Sequence, residues 1–136
     1  METLETLAAT LGPRNCLTAP DDLAPYAVDW RGVWTGMPRA VLRPGSVEEV
    51  QAAVRACVAE GLSIVPAGGR TGLCGGAVVP ANGPPSVVMS LERLNRIRDV
   101  DARDFSLVAE AGCIIQNVQQ AAAAVDRLFP LSWGAQ

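Results

Sequence analysis

The chain has 136 residues, with 11 Lys plus Arg against 14 Asp plus Glu for a net charge of -3, a size that fits one domain and argues against a multidomain machine. Every cation is an arginine and there is no histidine, which removes the usual zinc imidazole, the Ser-His base and the Schiff-base lysine; without a basic run, a nucleic-acid partner is disfavoured as well. A hydrophobic share of 49% with 18% charged residues marks a globular chain with a packed core.

From the N-terminus, Leu4, Leu7, Ala8 and Leu11 recur at helical spacing, and Gly12-Pro13 stops the helix they predict. Residues 18–38 are rich in Pro, Asp and Gly and read as an irregular loop, with Trp30 and Trp34 as its anchors. Residues 39–44 form a short buried strand ended by Pro44-Gly45. Ser46 is then a good N-cap with Glu49 three residues on, a capping box, and Val47, Val50, Val54, Cys57 and Val58 line one face up to the terminator Gly61. A second buried strand over 62–67 completes a strand, helix, strand order, which within one sheet makes a parallel unit.

That strand opens into PAGGRTGLCGGAVVP, with Gly68, Gly69, Gly72, Gly75 and Gly76 close together. A third strand follows over 86–91, then a hairpin pairing RIRDVD with FSLVAEAG. Ile114, Ile115, Val118, Ala121, Ala122 and Val125 mark a last amphipathic helix, and the chain finishes as RLFPLSWGAQ. Arg93, Arg96 and Arg98, interleaved with Glu92 and Asp99, read as a solvated charged face. Cys16, Cys57, Cys74 and Cys113 are far apart with no CxxC pair, so they read as reduced thiols and no metal is expected. No apolar run reaches the roughly 18 residues of a membrane span, and the acidic start differs from a signal peptide; a cytoplasmic location is the expectation.

A loop so rich in glycine can turn several backbone N–H groups toward one point, because glycine allows positive φ and leaves no side chain in a ligand's way. Such a nest suits a diphosphate, with charge from Arg70 and a hydroxyl donor from Thr71. The spacing matches neither GxGxxG nor GxxxxGK[ST], so the Rossmann fingerprint and the P-loop are both excluded. A tight strand-to-strand connection whose glycines serve only turns remains the other account of the same composition.

Together, AVLRPGSVEEVQAAVRACVAEGLSIV, PAGGRTGLCGGAVVP and VVMSLERLNRIRDVDARDFSLVAEAGC resemble the FAD-binding domain of the glycolate oxidase, D-lactate dehydrogenase and D-2-hydroxyglutarate dehydrogenase flavoproteins, of the wider vanillyl-alcohol oxidase type. The resemblance runs from about Asp29 to Gln136. It implies an α+β fold: a partial FAD-binding domain over 39–136, preceded by the helix and loop of 1–38, with a short parallel βαβ unit, antiparallel strands and flanking helices. It implies non-covalent FAD, with Pro66, Ala67, Gly68, Gly69, Arg70, Thr71 and Gly72 around the pyrophosphate and Leu73 and Gly75 continuing the wall. Pro130, Leu131, Ser132 and Gly134 would lie beside the isoalloxazine or ribityl chain. Glu110 is then either a family turn residue or a structural carboxylate, and Cys74 is a small apolar residue or, in other branches, a covalent flavin attachment point.

The relatives continue beyond the segment equivalent to PLSWGAQ into a second glycine-rich stretch and a substrate domain with the catalytic histidine. The resemblance therefore implies an N-terminal fragment of an FAD-dependent enzyme that oxidises a small D-2-hydroxy acid by hydride transfer, inactive alone and prone to self-association through its apolar end and an open sheet edge. A non-catalytic nucleotide- or phosphate-binding module, or an inactive fragment that binds nothing, are the alternatives.

Overall fold

The structure is a computed structural model that describes residues 2–132, and it forms two compact units that divide between Arg93 and Leu94. The first unit opens with α1 (Glu2–Leu11), whose Leu7 and Leu11 are buried. Its sheet has the order β1-β2-β4-β3, with β1 (Cys16–Leu17), β2 (Val41–Leu42), β3 (Ser63–Ala67) and β4 (Ser86–Ser90). β2 and β3 both run parallel to β4, while β1 pairs antiparallel with β2. The strand, helix, strand unit predicted from the sequence is present, but β4 lies between its two strands. Every residue of β4 is buried, as a central parallel strand covered on both faces requires, so it shows as a continuous apolar run without alternation.

The two faces separate residue by residue. Leu42, Val87 and Met89 join Leu7, Leu11 and Cys57 in one cluster, while Val41 and Val88 join Leu23, Tyr26, Ala67 and Val79 in another. The first cluster is covered by α1 and by α3 (Val47–Ala59). α3 starts as the sequence indicates, with Ser46 Oγ accepting the Glu49 amide at 3.2 Å. Glu49 reaches back to the amide of Gly45, at 2.7 Å, one residue before the cap. It ends in a Schellman motif in which Gly61, at φ 64, donates to the Val58 carbonyl and Leu62 to that of Cys57. The buried face is Val50, Ala53, Val54 and Cys57, positions spaced i, i+3, i+4, i+7. Val47 and Val58, predicted on it, are exposed because both lie on one flank of that stripe.

The predicted irregular loop contains α2 (Pro20–Leu23), a 3₁₀ turn (Ala24–Tyr26) and a Val28–Thr35 bridge. Its anchors are not the tryptophans: Trp30 is 73% and Trp34 54% exposed, whereas Leu23, Tyr26, Asp29 and Pro38 are buried. Asp29 substitutes for an indole anchor by polar means, its Oδ1 accepting the amides of Val33 at 2.7 Å and Trp34 at 2.9 Å.

In the second unit, β5 (Ile97–Asp101) and β6 (Ser106–Ala109) pair antiparallel, with an irregularity between Ile97 and Asp99. Asp101 Oδ1 accepts the amides of Arg103 and Asp104 and so closes the hairpin turn. α4 (Ile115–Ala123) buries Val118 and Ala122; Ile114 precedes it as an exposed N-cap and Val125 follows it.

Candidate functional site

The glycine-rich segment leaves the C-terminal end of β3, where Ala67 is fully buried and its carbonyl accepts the amide of Leu91. It re-enters the core at Val78 and Val79, both buried. The loop between is thus fixed at one end by the sheet and at the other by the core cluster that holds Val79, and it projects from the carboxyl edge of parallel strands, the edge at which open α/β sheets bind ligands.

Among the described residues, no backbone amide from Gly68 to Ala77 donates to an acceptor of the protein itself. The glycines divide into two classes. A Cβ placed on Gly68, Gly69, Gly72 or Gly76 would meet no atom within 4 Å, and none of these four sits at a left-handed φ. Neither packing nor backbone conformation inside this unit calls for glycine there. Gly75 differs, since at φ 73 its added Cβ would lie 2.6 Å from the Trp34 ring. Gly36 differs more, its Cβ falling 1.9 Å from the Val79 carbonyl oxygen. Gly36 therefore lets the 28–36 segment seat directly on Val79, where the loop rejoins the core.

Arg70 is the non-glycine residue of the segment with a left-handed backbone, at φ 56. Its guanidinium lies 4.2 Å over the centroid of Tyr26 and donates to the Pro25 carbonyl, so the side chain is tied back to the scaffold. Thr71, Leu73 and Cys74 are exposed, whereas Cys16 and Cys57 are buried thiols whose ionisation is pushed up by burial. Of the residues singled out in the sequence, 66–75 are therefore contiguous on one sheet edge. Pro130, Leu131 and Ser132 belong to the second unit and are exposed, with Gln119 Nε2 donating to the Leu131 carbonyl at 3.0 Å. Gly134 lies outside the described residues. Tyr26, Pro25 and Gly36, which contact or abut the loop, carry no sequence signal of their own, because they sit about 45 residues away in a segment without periodicity, and Trp34, singled out there as an anchor, abuts the loop at Gly75 instead.

The arginine cluster is not a loose solvated face. Arg96 and Arg98 are 72% and 47% exposed along their side chains, yet both guanidinium groups converge on the buried Glu110, at 3.1 and 3.0 Å. The Arg96 amide donates to the same carboxylate at 2.9 Å. That amide first, then the Arg96 side chain, hold the carboxyl down to about 2 against the opposing effect of burial, with Arg98 adding to them. Arg93 is likewise paired, donating to the Arg43 carbonyl at 2.5 Å and standing 3.6 Å from Glu49. Glu110 is thus a structural carboxylate, one of the two roles the sequence left open.

Residues 38–136 match the family described as FAD binding domain. The chain is 47% identical over 119 residues to a D-2-hydroxyglutarate dehydrogenase of Xanthomonas citri pv. viticola, covering 88% of this chain and 25% of that protein. It is 34% identical over 132 residues to the D-2-hydroxyglutarate dehydrogenase of Stutzerimonas stutzeri, 97% of this chain and 28% of that one. The chain thus spans about a quarter of the length of these relatives. The structure of p-cresol methylhydroxylase with substrate bound superposes with a TM-score of 0.82 at 24% identity, over 98% of this chain and 26% of the other; at that identity the likeness is one of fold. Among the described residues no helix is long and apolar enough to cross a membrane.

Proposed function

Since the chain belongs to the FAD binding domain family, we propose that residues 66–75 hold the pyrophosphate of non-covalently bound FAD within an oxidoreductase that oxidises a D-2-hydroxy acid of the 2-hydroxyglutarate kind. One observation carries the assignment of the site: a fixed loop whose amides have no internal acceptor and whose four open glycines answer no internal demand. A diphosphate fits that cradle, because main-chain N–H groups donate to anionic oxygens and a missing Cβ permits the approach. Each such charge-assisted bond contributes about 1.5 to 3 kcal/mol. Three or four can retain a dinucleotide in a chain that has no lysine.

When bound, the flavin supplies the two-electron acceptor that no side chain here offers. The chain's own part is placement. Ala67 and Val79, buried on either side of the loop, fix the amides before the ligand arrives and so reduce the ordering cost of binding. Thr71 adds an exposed hydroxyl donor, and Leu73 with Gly75 extends the wall. Pro130, Leu131, Ser132 and Gly134 are assigned to the flavin side of the cofactor, supported by the family match through residue 136. The substrate class rests on the names of the relatives, and contacts to the hydroxy acid are placed outside these residues. A cytoplasmic location is supported by four cysteines free of disulfides, and self-association by β3 standing at the edge of the sheet.

Titration of the purified chain with FAD tests the site. Binding should quench flavin fluorescence and stabilise the native state by about 2.7 kcal/mol at a hundredfold excess over Kd, seen as a rise in melting temperature. A chain that shows neither effect, at FAD concentrations that saturate flavoproteins, refutes the assignment.

A further inference from the structure

Arg70 is the one cation in the glycine-rich loop, and from sequence it is the natural counter-charge for a diphosphate. Its geometry points elsewhere. One Nη donates to the Pro25 carbonyl and the guanidinium plane lies over Tyr26, 4.2 Å from the ring centroid. Tyr26 is itself buried, in the cluster that also contains Ala67 and Val79, the two points at which the loop leaves and rejoins the core. The middle of the loop is therefore tied to the same base as both of its ends. The backbone of Arg70 is left-handed, at φ 56, a conformation that L-residues avoid unless the surroundings impose it. The hydrogen bond and the ring contact are the surroundings that do so here.

We propose that Arg70 is a positioning residue: its side chain, clamped between Pro25 and Tyr26, holds the left-handed turn that aims the neighbouring amides, and the diphosphate is met by main-chain dipoles instead of by the guanidinium. This rests on the FAD reading of the loop. A planar, five-donor guanidinium suits the task, since it can stack on an aromatic face and donate in its own plane at once. The consequence is a pyrophosphate site whose affinity comes from pre-organised geometry. Releasing the clamp lowers the fraction of chains in the binding-competent loop state and weakens binding by that fraction.

The test is a double-mutant cycle on the 136-residue chain, with FAD and ADP as probes at low and high salt. Arg70→Gly keeps the left-handed backbone accessible but removes the clamp, and Tyr26→Leu removes the ring while keeping apolar volume. Each should weaken FAD and ADP in equal proportion, by roughly tenfold. The double variant should be no worse than either single one, Tyr26→Phe should bind like the parent, and the salt dependence should be the same in all of them. If Arg70→Gly abolishes the salt dependence while Tyr26→Leu leaves binding intact, Arg70 is a direct phosphate ligand and the proposal is overturned. If Arg70→Gly binds as tightly as the parent, or no longer melts cooperatively without ligand, it is overturned too. A parent chain that binds neither probe overturns the FAD reading together with the clamp, and so separates the two failures.

Discussion

Substituting Gly69 by Ala separates what the loop requires of itself from what a ligand requires of it. No atom lies within 4 Å of a Cβ placed on Gly69, and its φ is outside the left-handed region. The methyl group should therefore change the stability of the unliganded chain by less than about 0.5 kcal/mol. Against a diphosphate seated on the loop the same methyl occupies the ligand's side. Losing one amide bond to an anionic oxygen costs about 1.5 to 3 kcal/mol, equivalent to roughly a 10- to 150-fold rise in Kd. Gly36→Ala is the control with the opposite signature: its Cβ would stand 1.9 Å from the Val79 carbonyl oxygen, a backbone atom that cannot rotate away. Overpacking of that kind costs about 1 to 3 kcal/mol, or a fall of about 4 to 12 °C in melting temperature for a chain of this size. Melting curves without ligand and fluorescence titration with FAD read both quantities on the same samples. If Gly69→Ala melts as low as Gly36→Ala, the glycine answers an internal demand; if it binds FAD as tightly as the parent, the ligand is not on that side of the loop. Either result removes the cradle.

Acidification should loosen the second unit in a defined window. Because the Glu110 carboxyl is held down from 4.5 to about 2, the native state binds its proton more weakly than the unfolded chain. Its stabilisation is therefore complete above pH 4.5 and is lost as the pH falls toward 2. Glu110→Gln, which has no such proton to take up, should start less stable and flatten that part of the curve; an identical acid profile in both chains would contradict the network of Arg96 and Arg98. At the start of α3, Ser46→Ala removes the hydroxyl that accepts the Glu49 amide and should cost about 1 kcal/mol, seen as a fall of roughly 4 °C in the melting temperature. An unchanged midpoint would mean that the Glu49 carboxylate, bonded to the Gly45 amide, is enough to close that helix end.

What was legible in the sequence was whatever is encoded locally. The capping Ser46, the terminator Gly61 and the stripe from Val50 to Cys57 specify α3 locally, and the hairpin of β5 and β6 follows from two short segments carrying Ile97, Val100 and Val108 about a turn's length apart. The glycines at 68–76 marked the loop between β3 and Val78, again from neighbours in the chain. What was not legible depends on partners far apart along it. The insertion of β4 between β2 and β3 is decided by which strand has both faces to bury, a property of the assembled sheet. Arg93, Arg96 and Arg98 look like a solvated face until the antiparallel register brings Glu110 under two of them and the end of β2 brings the Arg43 carbonyl to the third.

The same distinction accounts for Arg70. Sequence proximity to four open glycines makes its charge look like part of the ligand's shell, whereas the fold supplies it with a carbonyl and an aromatic ring 45 and 44 residues earlier in the chain. A cation that the scaffold has already engaged is held by one carbonyl and one ring face at the base of the loop, and turning it to a new anion would give up both contacts. An amide with no internal acceptor has the opposite standing, because its hydrogen-bonding capacity is unspent until something approaches it. On the proposed reading, an anion with several acceptor oxygens gains from these unspent amides, and a ligand that relies on a single ion pair does not.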